Sequence, residues 1–376
     1  MFDDIRPYTD AEIPSAMNRI ANDPYFVPIC GFLFPGEDPK KAADTLRSCQ
    51  TIADFQNRFM YPAITAIIKN TSSGVTIDGL EHLSPEKSYL FISNHRDIVL
   101  DAAILQILLA DANLPTSEIT FGANLMMSQF IIDIGKSNKM YRVERPTTVT
   151  SGREFLQKSA YLSKYIRYSI TEKHESSWIA QRNGRTKDGN DQTDRGIITM
   201  LCQSGTDDRI QSLSELNIVP ISISYEWEPC DILKSLEMFK RSSGEPYIKR
   251  PGEDLQSILT GITQKKGRIH FSVGRCISEA DLAGLNGLSR GDFTRAVANM
   301  IDRWILSSYQ LFPNNFIAYD ILNDQVSDNY SDDQKDAFLK HLSSLDKYPD
   351  SEKTRQIMLQ MYAMPIINRA NIIYNL

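Results

Sequence analysis

From about Gly74 to Gly274 short apolar runs alternate with longer stretches of helical periodicity. The runs Val75–Asp78, Tyr89–Ser93, Ile119–Gly122, Ser177–Ala180, Ile218–Ser224 and Arg268–Val273 are too short for helices and read as strands. Between them, Val99–Ala112, Asn124–Ile134, Thr148–Glu172 and about Asp194–Cys202 place apolar residues at helical spacing. Strands that alternate with helices bury both faces of a sheet, because each crossover lays a helix on one face. The predicted fold is therefore α/β, a mainly parallel mixed sheet with helices on both faces.

The flanks differ from this centre. Residues 1–72 read as a helical region. Few breakers apart from Pro62 interrupt Pro39 to Asn70, and Phe55, Phe59, Met60, Ile64, Ile67 and Ile68 recur at helical spacing. Such a stripe packs on a core or rests on a membrane surface. From Ser278 onward helices are joined by polar turns such as Asp328 to Asp333. The chain thus divides into an N-terminal helical region (1–72), an α/β core (73–277) and a C-terminal helical extension (278–376).

Composition narrows the partners. A formal net charge of -6 offers no overall basic excess, so no nucleic-acid partner is expected. Cys30, Cys49, Cys202, Cys230 and Cys276 are odd in number and none are in CxxC spacing. That predicts idle thiols rather than a disulfide framework or a zinc site. No His/Cys/Asp grouping has metal-ligand spacing, so no metal is expected. No P-loop, Gly-x-Gly-x-x-Gly or Gly-x-Ser-x-Gly is present. Met1-Phe2-Asp3-Asp4 is acidic and unlike a signal peptide, and no window approaches the roughly 20 apolar residues of a spanning helix.

The sharpest local feature is Phe91-Ile92-Ser93-Asn94-His95-Arg96-Asp97-Ile98-Val99-Leu100-Asp101. An apolar strand ends, and Asn-His-Arg-Asp follows at a helix start. Ligands gather beyond the carboxyl ends of parallel strands, and helix starts offer free N–H groups to an anion or an oxyanion. Imidazole is suited to general-base work when a carboxylate fixes its tautomer. Asp97 and Asp101 both stand within reach of His95. A plain capping cluster, with Asn94 or Asp97 as N-cap, is the competing reading.

This segment resembles the first motif of the glycerolipid acyltransferase superfamily, which includes the 1-acylglycerol-3-phosphate acyltransferases: Asn-His, four residues, then Asp. Three further blocks follow in that family's order. Gly135 to Met140-Tyr141-Arg142-Val143-Glu144-Arg145-Pro146 looks like its strand ending in a basic residue. Trp178-Ile179-Ala180-Gln181-Arg182-Asn183-Gly184-Arg185-Thr186-Lys187-Asp188-Gly189 looks like its Phe-Pro-Glu-Gly-Thr-Arg-Ser stretch. Ile218-Val219-Pro220-Ile221-Ser222-Ile223-Ser224 is similar to the apolar strand that closes its core. The likeness covers roughly residues 75–230.

The resemblance implies acyl transfer from a thioester, on acyl-carrier protein or acyl-CoA, to a hydroxyl of a membrane-lipid precursor of lysophosphatidate type, with no bound cofactor. It implies His95 as base with Asp101 or Asp97 as its partner, and a substrate-binding set of Asn94, Arg145, Arg182, Arg185 and Lys187. Arginine forks match phosphate oxygens. Such an enzyme is expected in the cytoplasm, peripheral on the inner face of the membrane. Two departures stand out. Five residues, not four, separate His95 from Asp101, and Asn183 stands where the family has Glu. Asp101 is the preferred partner, since a shift in the helix start brings it under the ring. The departures keep two other readings open: a catalytically weak lipid- or carrier-binding protein, and transfer to a non-phosphate lipid acceptor. A thioester hydrolase would use the same base with water.

Overall fold

The computed structural model describes residues 1–145, 148–242, 244 and 247–374. Among them, seven strands form one sheet: β1 (Ser72–Asp78), β2 (Leu90–Ser93), β3 (Glu118–Gly122), β4 (Met140–Val143), β5 (Ser177–Ala180), β6 (Ile218–Tyr225) and β7 (Gly267–Val273). The order is β1-β7-β6-β2-β5-β3-β4. All neighbours are parallel except β6 and β7. The fold is α/β, with a mixed, mainly parallel sheet.

Strand β4 is absent from the runs picked out by periodicity. It is a short edge strand whose outer amide, on Arg142, donates to the Ile5 carbonyl at 2.9 Å, so the N-terminal segment blunts that edge. Pro220 lies inside the buried β6. Its carbonyl accepts from Gly274, so its missing N–H falls on the β7 side, beyond the last paired position, Ile221 with Val273.

Helices α1 (Ile13–Asn22), α2 (Phe26–Leu33), α3 (Pro39–Arg47), α4 (Ile52–Phe55) and α5 (Tyr61–Thr71) precede the sheet, with a π-helical turn at Gln56–Met60. The apolar sides of α1 to α4 and of the π-helical turn form a core with Phe130. Phe55, Phe59 and Ile67 are buried, which removes them as membrane contacts. One sheet face is covered by α5 and α6 (Leu100–Asp111). The other is covered by α8 (Gly152–Thr171), α9 (Arg195–Leu201) and α14 (Arg290–Ser307).

The stretch from Asn124 to Ile134 is not one helix. A 3-10 turn at Ala123–Leu125 precedes α7 (Gln129–Ser137), whose N-cap Ser128 accepts from the Ile131 amide. Helices α10 (Arg209–Ser214), α11 (Asp231–Ser242) and α12 (Glu253–Thr263) fill what the pattern left as connections. After β7 come α13 (Glu279–Ala283), α14, α15 (Pro313–Asn323), α16 (Asp332–Leu342) and α17 (Ser351–Tyr374), the last three around their own apolar cluster. No helix among the described residues is long and apolar enough to cross a membrane, and none of the five thiols is paired.

Candidate active site

Parallel pairing sets β2, β3, β4 and β5 with their carboxyl ends at one side of the sheet. His95 lies just beyond β2, Arg145 just beyond β4, and Arg182 to Lys187 just beyond β5. The first three sequence blocks therefore converge although they are far apart in the chain.

The turn from Asn94 to Val99 folds back on the first turn of α6. Asp101, with 0% relative exposure, directs Oδ2 at three donors: the Arg96 amide at 2.6 Å, the Asp97 amide at 2.9 Å and His95 Nδ1 at 2.9 Å. Its Oδ1 accepts from the Tyr225 hydroxyl at 2.8 Å. An oxygen already accepting two amide N–H bonds acts as acceptor, so the proton of this contact sits on His95 Nδ1. That leaves the Nε2 lone pair free, and Nε2 has no protein partner among the described residues. The His95 side chain is 12% exposed, with the Trp178 ring edge-on at 5.7 Å. Burial first, and Asp101 second, push the Tyr225 phenol well above its ordinary range, so it stays a donor. The extra residue between His95 and Asp101 is absorbed by this turn, because α6 begins only at Leu100.

Asp97 is placed differently. Its Oδ1 accepts from the Val99 amide at 2.9 Å and the Leu100 amide at 2.8 Å, the work of a helix cap, and its other oxygen lies against Gly261. It does not reach His95. Asp101 and Asp97 together occupy the amides of Arg96, Asp97, Val99 and Leu100, which takes those four groups out of the expected oxyanion set.

Asn94 is fully buried, and its amide is spent inside the protein. It exchanges bonds with the Ile223 amide (2.7 Å) and carbonyl (2.9 Å) and donates to Asp191 at 3.2 Å. The side chain pins the β2 end to β6 and has no exposed surface for a substrate.

Among the basic candidates two are engaged. Arg182 donates to the Asn190 carbonyl at 3.2 Å, and Lys187 pairs with Glu237. Arg145 and Arg185 form no ion pair with any described residue. Burial holds the Arg145 guanidinium below its ordinary range; Asp254 works against this, and neighbouring Arg185 adds to it. Arg185 Nη1 is buried with no acceptor, as is Asn124 Oδ1. Gly122 makes the closeness possible: a β-carbon there would stand 2.7 Å from Asn124 Oδ1 and 3.0 Å from Arg145 Nε. Pro146, the last residue of the second block, lies outside the described residues.

Behind the turn runs a buried ionic chain that the sequence did not reveal. The Arg96 guanidinium pairs with Asp191 and, at 3.0 Å, with Glu228. Lys234 bonds Glu228 at 2.5 Å and the Arg96 carbonyl at 2.8 Å. Burial opposes the Arg96 charge, and the two carboxylates outweigh it. The Thr186 hydroxyl donates to Asp191 at 2.7 Å and its amide to the His95 carbonyl at 2.8 Å, so the third block is tied to the turn. Asn183, where a Glu was expected, is exposed. His341 bonds Asp231 at 2.6 Å and packs on Trp227.

No family model and no curated protein matches the chain. Among solved structures it is similar to the 1-acyl-sn-glycerophosphate (LPA) acyltransferase PlsC from Thermotoga maritima, over 78% of this chain and 93% of that one. Identity is 12% and the TM-score 0.38, an overlap that assigns no chemistry to this chain.

Proposed function

We propose that this chain is an O-acyltransferase that moves a fatty acyl group from a thioester, on acyl-carrier protein or acyl-CoA, to a hydroxyl of a lysophosphatidate-like lipid. One observation carries the reading: a histidine whose tautomer is fixed by a buried carboxylate, with its free nitrogen outward at the carboxyl ends of parallel strands. His95 Nε2 takes the proton of the acceptor hydroxyl as that oxygen bonds to the thioester carbonyl carbon. The C–S bond then breaks, and the departing thiolate recovers the proton from the imidazolium. Asp101 holds the ring and stabilises that imidazolium. No described residue is needed as a covalent nucleophile.

Arg145 and Arg185 make no ion pair with a described carboxylate, Asp254 acting on both only through space, and an anionic headgroup would supply direct partners. The product enters a bilayer, and the apolar surface suited to meet it is on and beside α2, where Tyr25, Val27 and Phe32 are exposed. The acceptor reading is tested by kinetics with a labelled acyl donor. A charge-assisted contact of about 1.5–3 kcal/mol should make Arg185→Ala raise the acceptor Michaelis constant about ten- to a hundredfold. The donor constant should hardly move. An unchanged acceptor constant would remove the phosphate and leave a non-phosphate lipid acceptor. Label released as free fatty acid at equal rates with and without acceptor would make the protein a hydrolase.

A further inference from the structure

An open cleft of about 690 Å³ lies at the β1–β7 edge, beside the end of α14, and His95 is not among its lining residues. That volume is within the range of small-molecule sites. Its floor is made by β7 side chains, His270 and Ser272, and its far wall by the end of α14, the α14–α15 link and α17. Three kinds of group meet there. Trp304, Leu311 and Phe316 supply flat and apolar surface. Asp78 and Glu81 stand beside histidines, His270 at 3.4 Å and His82 at 4.0 Å. Arg369 is the charge left over. Its Nη2 donates to the backbone carbonyls of Ser307 (2.8 Å) and Tyr309, its Nε is buried without an acceptor, and no described carboxylate pairs with it.

A half-buried guanidinium held by carbonyl dipoles alone is a cation oriented without a counter-ion, and burial lowers its affinity for its own proton. Two carbonyls hold Nη2, so the guanidinium is oriented before any ligand arrives. The two rim carboxylates disfavour a dianion. We propose that this cleft binds a small monocarboxylate with a flat apolar body, the carboxylate on Arg369 and the body against Trp304 and Phe316. The site is separate from the acyl-transfer reading and stands or falls independently of it.

Titration calorimetry of the full chain with 2-naphthoate, and with neutral 2-naphthylmethanol, tests this. Measurable naphthoate binding is expected, with about ten- to a hundredfold weaker binding in Arg369→Gln, while the alcohol binds both proteins alike. Because Arg369 also braces two carbonyls, a second variant guards against misfolding. Gln310→Trp places bulk at the exposed mouth and should abolish naphthoate binding at unchanged melting temperature. No naphthoate binding to the wild type, equal naphthoate affinity in Arg369→Gln, or full binding in Gln310→Trp each overturns the assignment.

Discussion

Substitution of Asp101 separates its two jobs. The carboxylate accepts from four buried donors: three N–H groups on Oδ2 and the Tyr225 hydroxyl on Oδ1. Alanine would strand all four. At about 1–3 kcal/mol for each buried donor left unpaired, the total is on the order of 4–12 kcal/mol. Typical domain stabilities are about 5–15 kcal/mol, so Asp101→Ala is expected to fold poorly or not at all. Asparagine can keep an oxygen toward the three N–H groups and turn its amide to Tyr225, whose hydroxyl then accepts. The fold and the His95 tautomer survive, and only the negative charge is lost. A hydrogen bond to a charged group contributes about 1.5–3 kcal/mol, which gives a turnover loss of about ten- to 150-fold for Asp101→Asn. Asp97→Asn preserves the cap and should leave turnover within about threefold, since Asn and Asp cap alike. Thermal melts by circular dichroism and turnover of a labelled thioester read both effects. Full activity in Asp101→Asn, or a wild-type melting temperature in Asp101→Ala, would refute this account of the turn.

Two other expectations rest on different parts of the chain. Burial pushes Asp302 up to about 6, against the bonds it receives from the Thr193 amide (2.7 Å) and hydroxyl (2.5 Å). A carboxyl raised in the fold is protonated there when the unfolded chain has lost its proton, so stability falls as pH rises from about 4 to 6. Asp302→Asn keeps an acceptor and removes that charge; its melting temperature should gain more over wild type at pH 7 than at pH 4.5, and equal gains would contradict the burial argument. Replacing Tyr25, Val27 and Phe32 together by Asp should abolish flotation with anionic liposomes while leaving the melt unchanged; undiminished flotation would place membrane contact elsewhere.

Much of the fold could be read because its causes are local. Six strands announce themselves by short apolar runs, and β6 is buried on both faces, so its run is unbroken. Strand β4 gave no periodic run, because an edge strand alternates with exposed Arg142 and carries little apolar signal, and only the resemblance of its block pointed to a strand there. Helices α11 and α12 escaped since each buries only part of its surface: Asp231, Lys234 and Ser235 are the buried residues of α11, and none of them is apolar. In the site, His95 and Asp101 were visible as a pair because they are sequence neighbours. Tyr225, Asp191 and Glu228 act on that turn from more than 90 residues away and left no local mark. The same distance misled the reading of Asn94. Its residue type and place suit a substrate contact, and only the position of Ile223 shows that its amide is already taken.

The most direct test of the central claim is acyl transfer by purified protein with a labelled acyl thioester and a lysophosphatidate acceptor, comparing wild type with His95→Ala. His95 contacts Asp101 but carries none of the buried ionic chain, so the variant should fold, verified by an unchanged circular dichroism spectrum. The expected result is label in the acylated lipid with wild type, and a rate lower by a factor on the order of a hundred or more with His95→Ala, as loss of a general base gives. A folded His95→Ala protein that transfers acyl groups at the wild-type rate would contradict the assignment of His95 as the base.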